Sequence, residues 1–213
     1  YCIGVHAPVE VSESSDGTKK YLFAVGESAH VEAAYIPDNA RATLCVSTQS
    51  GCARGCLFCM TGRQGLQRNL TAGEILNQYA AIPEKEHITN IVYMGMGEPL
   101  DNLGPVLSSL EILTDAGGYR FSPRRITLST VGLWPQFETL YESTGCHIAV
   151  SLHSPRPEER ARLMPVEVQH PVQKVLDFLK SRQALERTER GVGRRARRVS
   201  FEYILFDGVN DSV

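Results

Sequence analysis

From Val9 the chain alternates apolar and polar positions in short runs: Val9-Glu10-Val11, then Tyr21 to Val25, then Val31 to Ile36. Ser15-Asp16-Gly17-Thr18 separates the first two, and Asp-Gly between strand-like runs predicts a hairpin, so the segment reads as a β-meander. Pro37-Asp38-Asn39 breaks it. Beyond that point short apolar runs alternate with longer amphipathic stretches, the pattern of βα units around a parallel sheet. Strands are predicted over 43–47, 88–93, 125–128, 147–152 and 198–205. The first helix opens on Thr71-Ala72-Gly73-Glu74 as a capping box, with Ile75, Leu76 and Tyr79 starting its apolar stripe. Further helices are predicted from about Pro105 to Ala116, stopping at Gly117-Gly118, near 135–141, after Pro157, and over 172–185.

Five such strands make most of an open α/β barrel, where loops at the C-terminal ends of the strands converge on a ligand. The polar and glycine positions fall there: a cysteine loop after the first strand, Gly95 to Glu98 after the second, Ser129-Thr130 after the third, and Ser151 with His153 after the fourth.

Composition adds few constraints. The 213 residues, 42% hydrophobic and 22% charged, suit one globular domain with its own core. The longest apolar runs, such as Ile91 to Met96, are strand-length and far short of a bilayer crossing. Nothing reads as a signal peptide, so six cysteines argue for a reducing, cytoplasmic setting where clustered thiols serve metals or catalysis. The first residue is Tyr1 and the last is Val213, and the chain is read as a fragment. A net charge of −2 gives no bulk signal for nucleic acid. Locally, Arg187, Arg190, Arg194, Arg195, Arg197 and Arg198 crowd one segment, which either neutralises phosphates or is a solvated loop.

The chemistry concentrates in Cys52-Ala53-Arg54-Gly55-Cys56-Leu57-Phe58-Cys59. Structural zinc is closed off by four protein ligands, and no fourth is obvious here. Three thiolates at this spacing suit three corners of a cubane 4Fe-4S cluster and leave one iron open for reaction. Two other readings stay open on the loop alone: a disulfide with one thiol left over, and a zinc site that recruits a distant His.

The loop, with Phe58 before its last cysteine, resembles the CxxxCxxC motif of the radical S-adenosylmethionine enzymes. The flanks narrow the resemblance. Thr43 to Ser47 leading to Gly51-Cys52, Met94-Gly95-Met96-Gly97-Glu98-Pro99-Leu100, Arg125 to Thr130, and Ser151-Leu152-His153 are similar to the RlmN-like family. It covers nearly the whole chain, from Asp16-Gly17-Thr18 to Val209-Asn210-Asp211. The fold it implies is α/β, a partial (β/α)6 radical SAM barrel over residues 41–213 preceded by a short antiparallel β-meander over residues 1–40. The activity it implies is methylation of carbon 2 of adenine in 23S ribosomal RNA and in transfer RNA. An electron-poor adenine carbon is closed to polar attack on a sulfonium methyl group, whereas a low-potential cluster delivers the one electron that homolytic cleavage needs.

Family roles follow residue by residue. Cys52, Cys56 and Cys59 are expected to hold the cluster, and the amino and carboxylate groups of S-adenosylmethionine to chelate the fourth iron. Gly97, Glu98, Ser129, Ser151, Leu152 and His153 are expected to meet that cofactor. Cys45 matches the cysteine that resolves a methyl-cysteine adduct by forming a disulfide, and Glu32, in Val31 to Pro37, matches the proton acceptor. The implied partners are ribosomal and transfer RNA and a low-potential flavodoxin or ferredoxin, with no membrane and a monomeric state. Two features of the family are missing. The methyl-carrying C-terminal cysteine with a further cofactor-contacting Asn has no counterpart, since Cys2 and Cys146 match no family motif, and neither has the small helical N-terminal domain. The chain alone is therefore expected not to complete methyl transfer. The alternatives are a carbon 8 methyltransferase, against which Pro99 stands where that type carries Ala, a radical SAM maturase, and a non-enzymatic RNA-binding module.

Overall fold

The computed structural model describes residues 4–189 and 197–211. It opens with the antiparallel strands β1 (Glu10–Glu13), β2 (Lys19–Val25) and β3 (Ala29–Asp38). The first turn forms as the Asp-Gly pair dictates: Gly17 takes φ 82°, Gly17 N donates to Ser14 O at 3.0 Å, and Asp16 Oδ1 accepts from Thr18 N at 2.9 Å. Next come β4 (Arg41–Cys45), the short pair β5 (Gln49–Ser50) and β6 (Arg68–Asn69) around a one-turn helix α1 (Met60–Arg63), and then α2 (Ala72–Ala80). The rest alternates β7 (Asn90–Tyr93), α3 (Leu103–Thr114), β8 (Ile126–Thr130), α4 (Gln136–Ser143), β9 (His147–Ser151), α5 (Pro157–Leu163), α6 (Val172–Glu189) and β10 (Val199–Glu202).

One eight-stranded sheet runs β1-β2-β3-β4-β7-β8-β9-β10. Its last five strands are parallel neighbours in chain order, the arrangement expected of successive βα units, and β3 joins the meander to them by pairing antiparallel with β4 (Ala34 opposite Cys45). Pro37 and Asp38, expected to end the meander, stay in β3; the break falls one residue later, where Asn39 takes φ 48°. The arginine-rich segment falls mostly outside the described residues. Of its members described in full, Arg197 lies over the Tyr141 ring at 4.2 Å and donates to Tyr141 O.

Parallel sheets are normally buried on both faces and read as continuous apolar runs. Here burial alternates instead. Leu44, Ile91, Tyr93, Ile126, Leu128, Ile148 and Val150 form the buried phase and join the core with Ile75 of α2, Val106 and Leu110 of α3, and Phe137 of α4. The other phase, including Thr43, Cys45, Val92, Thr127, Ser129 and Ser151, is half-buried. The sheet is thus apolar toward its helices and polar, with small side chains, on its other face.

Helix α2 starts where the sequence marks it. Thr71 accepts from Glu74 N while the Glu74 carboxylate accepts from Thr71 N at 2.8 Å, the reciprocal pairing of a capping box, and Arg68 grips the same carboxylate at 2.7 and 3.0 Å. Thr71→Ala removes the cap, and urea unfolding should show a loss of about 1 kcal/mol with an unchanged slope.

Candidate active site

The parallel strands end at a cavity of about 450 Å³, in the size range of small-molecule sites. Each strand exit contributes to it: the cysteine loop after β4, Met94 to Glu98 after β7, Ser129 and Thr130 of β8, Ser151 and His153 at the end of β9, and Glu202 of β10. Of the residues singled out in the sequence, Cys52, Cys56, Cys59, Gly97, Glu98, Ser129, Ser151 and His153 all line this one space. Leu152, Cys45 and Glu32 do not. Leu152 packs against the core, its carbonyl accepting from Arg160 Nε at 3.1 Å. Cys45 is the last residue of β4, on the half-buried face of the sheet, and Glu32 of β3 is on the same face, exposed and 3.0 Å from Lys20 Nζ.

The cysteine loop is held by backbone contacts that its glycines permit. Cys52 N donates to Gly65 O at 3.1 Å, and Gly51 at φ 75° passes so close that a Cβ there would sit 1.7 Å from that same oxygen. Leu57 N donates to Leu163 O at 2.9 Å, tying the loop to the end of α5. Phe58 packs edge-on against His153 with centroids 4.8 Å apart and against Phe206 at 5.6 Å. Arg54 Nε stands 2.8 Å from Asp101 Oδ2, a close approach of charges without hydrogen-bond alignment, which links the loop to the turn after Glu98.

All three thiols are free. Burial pushes Cys56 up to about 12, with Cys52 and Cys59 adding to the shift, and burial raises Cys52 as well. Such thiols stay protonated until a bound cation supplies the positive charge that a thiolate needs. Among the described residues no three or more His, Cys, Asp or Glu side chains close around a single ion position. A cubane cluster distributes its thiolates over several irons, so three free thiols along one cavity wall fit it better than a mononuclear ion.

Glu98 lines the cavity, but the protein itself engages its carboxylate. It is 3% exposed and turned inward, accepting from Thr130 Oγ1 at 2.5 Å, Val131 N at 2.9 Å and Leu100 N at 3.0 Å. Its carboxylate knits the exits of β7 and β8; of the turn itself Gly95 and Gly97 line the cavity, while Gly95 N, Met96 N and Glu98 N donate into the protein. Gly97 (φ 101°) keeps that backbone close, since a Cβ would meet Gln49 Cβ at 2.6 Å.

Sequence reasoning missed three residues. Glu202 receives Ser129 Oγ at 2.6 Å and Ser151 Oγ at 3.4 Å. Its sequence signal is weak, a carboxylate in the inward phase at the end of the last strand. Arg160 is wholly buried, donating to Ser151 O, Leu152 O and Val131 O and pairing with Glu167. Among the charged neighbours of Pro157-Glu158-Glu159 it reads as a solvated helix face. Asn210 donates to His153 O at 2.5 Å and Ile204 O at 2.8 Å, holding the segment after β10 against β9; an Asn beside Gly208 reads only as a turn.

A strand-edge cavity lined by three free thiols is the kind of site that a metal-cluster enzyme of the barrel type uses. A family model described as the Radical SAM superfamily matches residues 46–212, and the chain belongs to that superfamily, whose cofactors are a 4Fe-4S cluster and S-adenosylmethionine. It is 52% identical over 213 residues to the probable dual-specificity RNA methyltransferase RlmN of Bacteroides fragilis, covering 100% of this chain and 59% of that protein. The dual-specificity RNA methyltransferase RlmN of Geotalea uraniireducens is 45% identical over 203 residues, 95% of this chain and 57% of its own length. The crystal structure of a radical SAM methyltransferase from Sphaerobacter thermophilus matches with a TM-score of 0.85 at 41% identity, covering 98% of this chain and 60% of that one. The chain thus spans about three fifths of the length of these relatives. No helix among the described residues is long and apolar enough to cross a membrane.

Burial raises Glu98 from 4.5 to about 7. The folded state therefore binds this proton more tightly than the unfolded chain, so its stabilising contribution is complete below pH 4.5 and is lost as pH rises through 7. Denaturation between pH 5 and 8 should show a decline of at most about 3 kcal/mol from this group. Glu98→Gln should flatten that decline.

Proposed function

We propose that this chain forms the cofactor-binding core of a radical S-adenosylmethionine RNA methyltransferase acting on carbon 2 of adenine in 23S ribosomal RNA and transfer RNA. The observation that carries the reading is the convergence of the thiol triad, the Gly97-Glu98 turn, Ser129, Ser151 and His153 on one cavity. The 45–52% identity to proteins named RlmN supports the RNA substrate class, and Pro99 after Gly97-Glu98 supports carbon 2 over carbon 8.

In this reading Cys52, Cys56 and Cys59 hold the cluster, which when bound supplies the electron that splits S-adenosylmethionine homolytically. The backbone at Gly97 and the serine hydroxyls of β8 and β9 orient the cofactor. His153 accepts from Ile204 N at 3.0 Å through Nδ1, so in its neutral form the proton sits on Nε2. Phe58 and Met164 line the cavity as apolar wall and limit water. On the half-buried sheet face Cys45 serves as the resolving thiol; burial holds it up at about 11, so it needs a base to take its proton before it reacts as thiolate. Glu32, exposed on the same face, takes the proton. A flavodoxin or ferredoxin supplies electrons, and the protein works as a cytoplasmic monomer.

Anaerobic reconstitution of the chain should give about four irons per molecule and, on reduction with S-adenosylmethionine, 5′-deoxyadenosine. Cys56→Ala should lose both. Stoichiometric zinc with no iron uptake would overturn the proposal. In cells, Cys45→Ala in the encoding gene should abolish 2-methyladenine in ribosomal RNA by mass spectrometry, and its persistence would remove Cys45 from the mechanism.

A further inference from the structure

We infer that a cleft at the N-terminal ends of β7 and β8 is a second RNA-contact surface, which holds backbone phosphates away from the target nucleotide; this rests on the function proposed above. The cleft, of about 470 Å³, is bounded by the end of α2, the residues leading into β7 and β8, and the loop after α3. Thr89 and Arg125 immediately precede the two strands, so the cleft lies at the opposite end of the sheet from the thiol-lined cavity. Strands of four and five residues separate them by roughly 15 Å. Lys85, Arg120 and Arg125 line the cleft against one acid, Glu86, and none of the three cations has an ion-pair partner among the described residues. Tyr79 is the hub of an aromatic wall, edge-on to Tyr119 at 4.9 Å and to Phe121 at 5.4 Å, and Tyr119 is 41% exposed. Exposed rings beside unpaired cations match a polynucleotide, whose phosphates take the charge while its bases lie on the rings.

Arg120 supplies an independent observation. It holds φ 62°, in the left-handed region that favours glycine and strains a long side chain. The end of α3 is closed without it, since Tyr119 N donates to Ile112 O at 3.1 Å and Phe121 N to Leu113 O at 2.8 Å. Arg120 Nε donates to Ala116 O at 2.6 Å, and both Nη groups have no partner among the described residues. A strained arginine with its terminal donors unused points to a ligand that accepts from them. Arg120, Arg125 and Tyr119 are exposed, so the cleft does not enclose a mononucleotide as small-molecule sites do and suits a partner that brings its own surface. An acidic electron carrier has to approach the cluster, at the other end of the strands. A folded RNA is large enough to reach both ends.

The test is fluorescence-anisotropy binding of a labelled, unmodified transfer RNA transcript to the anaerobically reconstituted chain over a series of salt concentrations. Lys85→Ala, Arg120→Gly and Arg125→Ala should each weaken binding about 3- to 10-fold at about 0.1 M salt and reduce the slope of log K against log salt by about 0.7 to 1. Lys174→Ala, which removes an exposed cation from α6, should do neither. Arg120→Gly relieves the left-handed backbone, so its thermal midpoint should hold or rise while RNA binding falls, a split that an arginine kept for stability cannot give. Tyr119→Leu should weaken binding about fivefold with the slope unchanged, as loss of a stacking contact does. Absence of RNA binding, unchanged slopes in the three cation variants, or an equal loss in Lys174→Ala overturns the inference. So does displacement of the RNA by adenosine monophosphate at constant ionic strength, which would mark a small-anion site, or loss of flavodoxin binding in the variants with RNA binding intact, which would mark a protein interface. Each variant should still take up iron and form 5′-deoxyadenosine as wild type does. A wild-type chain that forms none overturns the proposed function, whereas wild-type cleavage with unaltered RNA slopes removes only this surface.

Discussion

The structure depends on satisfying buried backbone groups where the parallel strands end. At that edge the sheet ladder stops, yet the chain stays inside the protein, and each buried group left unpaired costs about 1–3 kcal/mol. Buried polar side chains take over from the ladder. Gln78 of α2 gives Ser47 both an acceptor and a donor at 2.8 Å, and Ser47 Oγ joins Glu32 O to Met96 N. Gln49 accepts from Glu98 N, and Asn102 donates to Thr48 O and Leu70 O. Glu98 then receives β8, while Arg160 collects carbonyls from the ends of β8 and β9. The cavity rim is one connected network rather than a set of independent loops, so the thiol triad inherits the rigidity of the sheet.

The same burial sets the electrostatics. The Cys56 thiol and the Glu98 carboxyl are both raised by desolvation, so groups around the cavity are held toward their neutral forms when no cation is bound. Iron and a sulfonium are cations, and their arrival relieves what the fold imposes. Arg160, the buried cation nearest the cysteine loop, is matched by Glu167 and saturated by carbonyls, which makes it a structural fastener more than a free charge facing the site.

The alternating burial of the parallel strands has a functional side. A sheet buried on both faces would offer no room for polar residues along its strands. Here one phase packs under helices and the other carries Thr43, Cys45, Ser129, Ser151 and Glu202, so Cys45 and the cavity residues share a face although Cys45 does not line the cavity. Pairing of β3 with β4 brings Glu32 onto that face from the meander, a segment whose sequence carries no other sign of chemistry.

What the sequence determined by itself was local. The Asp-Gly turn, the Thr71-Glu74 capping box and the order of five βα strands depend on residues close in the chain, and so does the spacing of three thiols in one loop. What only the tertiary structure decided involves distant partners. A charged residue on a predicted helix reads as solvated, yet Arg160 is sealed inside because carbonyls from three residues of two other segments surround it. Glu98 reads in the sequence as a residue that meets the cofactor, but Thr130 and Val131 turn its carboxylate inward. Glu202 is one acidic residue among many until register sets it beside Ser151 and within reach of Ser129. Chain-local propensity and spacing place the elements, and desolvation at the points where remote strands meet decides which polar groups face the ligand and which hold the frame.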